Sequence, residues 1–201
     1  AAAEMMLGGV TTVFDMYYFE DALAEAMSEM NMRAVLAETI VDFANCDSSE
    51  PYGGLAISEQ FIAQWKNRHP LITPAIGPHA TNTNSAEALK QAQAIAERYD
   101  VLLSLHAAEM DYEMEMFRKE KNQTPIEYLE SIGLLSPHLV AAHCIHVHDH
   151  DLKLMAQHGC RIAHCIGSNT KAGKGVAPLK KMIEQGIPVG LGSDGASSGN
   201  T

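Results

Sequence analysis

Basic residues are scarce in this chain: 14 Lys and Arg stand against 25 Asp and Glu, a formal net charge of −11 over 201 residues. That balance argues against a polyanion partner, because nucleic-acid binders need a basic face to release counterions. Long apolar runs are also missing; none reaches the roughly 20 residues of a membrane-spanning helix. The opening Ala1-Ala2-Ala3-Glu4 lacks the basic n-region of a signal peptide. The four cysteines, Cys46, Cys144, Cys160 and Cys165, show no Cys-x-x-Cys spacing. They fit packed free thiols and a cytoplasmic setting. No Gly-x-Gly-x-x-Gly follows the first strand, and repeats, low-complexity tracts and linkers are absent. A single domain over residues 1–201 is expected, with a small molecule as partner and homo-oligomerisation left open.

What is present is ordinary soluble material, 46% hydrophobic and 19% charged, arranged in alternation. Short β-branched or apolar runs predict strands at 11–16, 33–38, 71–77, 101–106, 139–143, 161–164 and 187–191. Helical patterns fall between them, at 21–30, 58–68, 85–99, 109–121, from Thr124-Pro125 onward, at 149–157 and at 177–185. Ser58 and Ser85 are the expected N-caps, and Pro125 suits a first helical turn. Near-continuous apolar strands point to a parallel sheet covered by helices. Ala1 to Leu7 reads as the tail of a helix, and the chain closes on Gly199-Asn200-Thr201. An internal piece of a longer protein is therefore expected.

The polar residues choose between an open doubly wound sheet and a barrel. His79, His106, His143, His164 and Asp194 each sit at or just past the C-terminal end of a different strand. Barrel enzymes build their sites there, whereas an open sheet concentrates polar groups at one switch point. The fold expected is α/β, a (β/α)8 TIM-type barrel that is incomplete, with about seven βα units. Singly, each residue has a bland reading. His106 and Glu109 can be a hydrogen-bonded core histidine and a solvated acid; Asp194, among glycines, can make a turn. His146, His148 and His150 are expected in an exposed loop, and His69, His138 and His158 at helix ends. Jointly, five such groups on five strand ends favour an active site. Imidazole and carboxylate together suit zinc or iron.

Several motifs add a resemblance. Gly77-Pro78-His79, His106-Ala107-Ala108-Glu109, Ala141-Ala142-His143-Cys144-Ile145-His146, His164 to Lys171 and Leu191-Gly192-Ser193-Asp194-Gly195-Ala196, with the opening Gly9-Val10-Thr11-Thr12-Val13, occur in order. Together they resemble the metal-dependent amidohydrolase superfamily. The branch they resemble holds the methylthioadenosine/S-adenosylhomocysteine deaminases and triazine chlorohydrolases. The resemblance implies one divalent metal, zinc or iron, held by His106 and by Asp194, which also transfers a proton. It implies that Glu109 contacts a substrate ring nitrogen and relays the proton. His143 would sit beside the metal-activated water, and His79 would bind substrate. The activity implied is hydrolytic deamination of an adenosine-type or related aminated heterocycle. Dechlorinating or amide-cleaving hydrolysis at the same site is the alternative, and an inactive piece without a complete metal site is another.

Three features depart from the pattern. The family's first-strand His-x-His pair does not occur here and is expected ahead of Ala1. Glu38 stands where members acting on S-adenosylhomocysteine carry an Arg, so a substrate carboxylate is expected to meet repulsion instead of a charge-assisted pair. His79-Ala80-Thr81-Asn82 lacks the usual Pro-Tyr after His-Ala, which predicts a changed base or ribose pocket.

Overall fold

β-Branched and apolar runs become strands and the 3.6-residue patterns between them become helices. The computed structural model describes residues 1–198. The five described strand pairings are parallel, and the seven strands follow chain order in the sheet, β1 to β7. Sequential parallel strands joined through helices are the topology of a (β/α) barrel, here with seven βα units.

The backbone divides into two compact units, one of Ala1–His79 with Thr83–Ser104, the other of Ala80–Asn82 with the chain from Leu105. The first carries α1 (Ala2–Leu7), β1 (Thr12–Tyr17), α2 (Glu20–Glu29), β2 (Arg33–Ile40), α3 (Gly54–Trp65), β3 (Ile72–Pro78) and α4 (Ala86–Tyr99). Thr12 pairs with Arg33 and Tyr17 with Glu38; Ala34 pairs with Ile72 and Ile40 with Pro78. Its core joins Ala24 and Met27 of α2, Leu36 of β2, and Phe61 and Trp65 of α3. Burial of each large side chain there contributes roughly 1.5–3 kcal/mol. Pro74 lies inside β3, yet β3 pairs with the next strand only at Ile76↔Leu103. The ladder on that side starts past the proline, which lets the strand keep a residue without an N–H.

The next strand, β4 (Leu103–Ala107), leads into the second unit, followed by α5 (Asp111–Lys121), α6 (Pro125–Ser131), β5 (Leu139–His143), α7 (Asp149–Gln157), β6 (Arg161–His164), α8 (Ile166–Lys171), α9 (Leu179–Glu184) and β7 (Val189–Leu191). Val140 pairs with Arg161, and His164 with Leu191. Phe117, Ile126, Leu129, Leu139 and Met155 are buried in this unit.

Helix starts follow the caps in two cases and not in a third. Ser85 Oγ accepts from Ala88 N at 3.2 Å. Thr124 and Glu127 form a reciprocal capping box with Pro125 in the first turn. Ser58 is not a cap: α3 begins four residues earlier, at Gly54, and the buried Ser58 hydroxyl donates to the Glu38 carbonyl at 3.2 Å. No serine or threonine marks that start; a glycine does, because a Cβ at Gly54 would stand 2.3 Å from the Thr39 carbonyl oxygen. Helix α8 is additional to the sequence reading, which has none between Arg161–His164 and Ala177–Gln185.

Candidate active site

The second unit builds its polar cluster on turns that leave successive strands. His106 lies near the end of β4, and the chain then turns through Ala108 at φ 49°. His143 ends β5 at φ 69° and Cys144 follows at φ 48°. Left-handed backbone is unfavourable for residues with a Cβ and collects at functional sites. The two turns are laced together: Cys144 N donates to the Ala107 carbonyl at 3.2 Å and His146 N to the Ala108 carbonyl at 3.0 Å. The lacing brings His106, Glu109 and His143 into one group, with a donor atom of each within 4.8 Å of the others. The two imidazole centroids are 5.0 Å apart, tilted by 39°.

His143 is 1% exposed, and its Nδ1 lies 2.8 Å from Asn169 Oδ1. An amide oxygen only accepts, so Nδ1 is the donor of this pair. The Nε2 of the ring is 3.5 Å from Glu109 Oε1. The same oxygen receives Lys174 Nζ at 2.5 Å, an ion pair in which both side chains are about four-fifths covered. Glu109 is thus held between the His143 ring and an ammonium group, an arrangement suited to moving a proton.

Asp194 lies three residues past β7, at φ 62°. Its Oδ2 accepts from the Ser168 hydroxyl at 2.5 Å and its Oδ1 from Gly195 N at 2.7 Å. Partial burial pushes its pKa up, but these donors and the nearby His143 and His106 rings outweigh that and hold the carboxyl below its ordinary value. Asp194 is outside the His106–Glu109–His143 trio, though its charge is felt by both rings. His164 ends β6 and is buried; burial first, and the His143 ring second, lower its pKa, which favours neutral imidazole. Among the described residues its Nδ1 finds no hydrogen-bond partner.

His79 belongs to the first unit, just past β3, with Nδ1 3.1 Å from the Thr83 hydroxyl. His148 and His150 are exposed as expected, but His150 lies in the first turn of α7 and not in the loop. His146 is not: it is half-buried, with Nδ1 3.2 Å from Asp111 Oδ1, because the β5 turn folds back on the start of α5. Glu38 is 1% exposed and its carboxyl is pushed up to about 8, by burial first and by a hydrogen bond shared with Asp47 second. It is therefore neutral at pH 7, and the repulsion expected of an anion at that position applies only at higher pH. Residues that the sequence reading passed over are Glu113, Ser168 and Lys174. Neither Glu113 nor Lys174 carried a signal in the sequence: the helix expected at 109–121 makes Glu113 its fifth residue, and the partner of Lys174 is 65 residues away.

The donors suit a metal. Neutral imidazole nitrogens and carboxylate oxygens are the ligands that zinc takes in catalytic sites. Asn169 fixes the His143 ring through Nδ1 and so directs Nε2 toward Glu109.

Among the described residues no helix is long and apolar enough to cross a membrane. The sequence pattern of the Amidohydrolase family matches residues 1–201. The chain is 42% identical over 197 residues to the 5'-deoxyadenosine deaminase of Methanothrix thermoacetophila, covering 98% of this chain and 46% of that protein. It is 41% identical over 200 residues to the 5-methylthioadenosine/S-adenosylhomocysteine deaminase of Syntrophobacter fumaroxidans, covering 100% and 45%. The chain thus spans about half the length of the curated relatives it matches. Among solved structures, an adenosine deaminase from Xanthomonas campestris with bound zinc superimposes with a TM-score of 0.95 at 29% identity, over 100% of this chain and 45% of that one. A zinc complex of atrazine chlorohydrolase from Arthrobacter aurescens gives 0.88 at 27%, over 98% and 47%. With its parallel βα units and its His, Glu and Asp groups at the strand ends, the chain belongs to the amidohydrolase family.

Proposed function

We propose that the protein carrying this chain is a metal-dependent aminohydrolase that deaminates an adenosine-type or related aminated heterocycle in the cytoplasm. The observation that carries the reading is the convergence of His106, Glu109 and His143 donors within 4.8 Å at the ends of successive strands. The names of the deaminase relatives support this substrate class. His106 and Asp194 hold one divalent metal, zinc by preference, and the resemblance puts a His-x-His pair ahead of Ala1. When bound, such a metal lowers the pKa of water from 15.7 to about 7 and makes hydroxide available at neutral pH. Asp194, ionised and steadied by Ser168, accepts a proton. Glu109 relays one proton of the attacking water to the ring nitrogen, and the proton taken up by Asp194 passes to the amino group, which leaves the adjacent carbon as ammonia. His143 offers Nε2 to the developing charge, with its orientation set by Asn169. His79 takes the substrate-binding role from the sequence resemblance alone. The four free cysteines, three of them buried, fit a reducing compartment.

The test is metal content by elemental mass spectrometry, together with product analysis on 5'-deoxyadenosine, for the complete protein and three variants. His106→Ala and Asp194→Ala are expected to lose both metal and turnover. Glu109→Gln is expected to keep the metal and lose about 10²–10⁴-fold in kcat, the usual worth of a general acid–base group. Full activity in all three would remove the site assignment. The likeness to atrazine chlorohydrolase supports a second reading, hydrolytic dechlorination at the same site. Chloride released from a chlorotriazine, with no ammonia from adenosine-type compounds, would select it.

A further inference from the structure

We infer that Glu113 is a positioning residue for Glu109, acting on the backbone of the turn and not on substrate. The inference rests on Glu109 being the proton-transfer group. Glu113 is the third residue of α5 and is 3% exposed. Its Oε1 accepts from Ala108 N at 3.1 Å and from the Thr81 hydroxyl, and its Oε2 accepts from Glu109 N at 2.9 Å. A buried carboxylate is costly unless its oxygens are satisfied, and here three donors satisfy it only while the turn keeps its present course. That course needs support, because Ala108 sits at φ 49°. Non-glycine residues stay in such conformations only where the surroundings over-determine them.

The grip extends beyond the turn. Thr81 N donates to the His106 carbonyl at 3.4 Å, and Ala80 bridges to His106. One buried carboxylate therefore ties together the segment at His106, the left-handed Ala108 and the amide of Glu109. Lys174 holds the carboxylate end of Glu109 while Glu113 holds its backbone end. A simple helix cap would reach the N-cap residue, Met110; Glu113 reaches past it to Ala108 and Glu109, the stretch that aims the proton-transfer group.

Glu113→Gln keeps the size and replaces one acceptor oxygen with an NH2 that cannot accept. In the complete protein, with 5'-deoxyadenosine as probe, it is expected to lower kcat by about 100-fold, the cost of a misplacement of about 1 Å. KM and metal content should change little. Combined with Glu109→Gln, it should cause no further loss, because a residue that acts through another is not additive with it. Independently of turnover, amide hydrogen exchange in the segment 107–110 should be faster in E113Q than in wild type. Unchanged kcat, unchanged exchange, or a double variant as slow as the product of the two single losses would overturn the proposal. If E113Q does not fold, Thr81→Val removes one donor and should lower kcat in the same direction by a smaller factor; an unaffected kcat in folded T81V would overturn it equally. Wild-type turnover in E109Q removes the functional reading itself, whereas a strongly impaired E109Q beside a fully active E113Q removes only this inference.

Discussion

Glu20 and Glu38 occupy the first unit as carboxyl groups with 0% and 1% exposure. Burial is the main reason that Glu20 is pushed up to about 9, and the neighbouring Asp15 carboxylate adds to it. Glu38 rises to about 8, again chiefly through burial. Each side chain also accepts a backbone N–H: Glu20 Oε1 from Tyr17 at 2.9 Å and Glu38 Oε2 from Glu20 at 3.0 Å. Both are protonated in the native state at neutral pH and ionised in the unfolded chain, whose reference pKa is 4.5. Their contribution is fully present below about pH 4.5 and is lost as pH rises through about 8 and 9. Glu20→Gln and Glu38→Gln imitate the protonated forms and keep one acceptor for the backbone. Each variant is expected to unfold at a higher temperature than wild type at pH 8–9 and at a similar one near pH 5, with a shift of roughly 2–4 °C per kcal/mol. Thermal unfolding across that range decides it: a lower Tm for E20Q at every pH would mean that the wild-type carboxyls are charged and compensated.

Elements begin where backbone geometry lets them, and α3 is the clearest example. Gly54 opens it by passing close to β2, so the approach of helix to strand depends on a missing Cβ. Gly54→Ala is expected to cost roughly 1–3 kcal/mol, the range for overpacking, because the obstructing atom belongs to the backbone and cannot rotate away. Chemical denaturation checks this, and an unaltered midpoint would show that β2 yields freely. Thr124 illustrates the opposite case: its capping box is complete, and its hydroxyl also reaches Asp151 Oδ1 at 2.6 Å, linking the start of α6 to α7. Local chemistry was enough to locate α6, whereas α3 needed a contact between residues 15 positions apart.

For the whole molecule, β1 and β7 are the outer strands of the sheet order, and each leaves one side without a neighbouring strand among the described residues. Phe14 and Tyr17 on β1 and Leu191 on β7 are exposed. Open edges with apolar side chains invite pairing with other chains. The 201-residue chain expressed by itself is expected to run in size-exclusion chromatography above its 21.8 kDa; a cooperative unfolding monomer of that mass would contradict this. Strand positions were legible in the sequence because each strand is a short, nearly continuous apolar run. β5 and β6 fall at residues 139–143 and 161–164 as expected. The helix patterns between them determined the alternation, and the place of His106, His143, His164 and Asp194 at strand ends indicated a site. What the sequence could not contain was the company each group keeps. Only the fold put Lys174 on Glu109, Asn169 on His143, Ser168 on Asp194 and three donors on Glu113. It also turned Glu38 from an expected anion into a buried neutral acid. The physical reason is range: periodicity and capping act over a few residues, whereas charge state and orientation depend on desolvation and on partners that tertiary contact alone supplies.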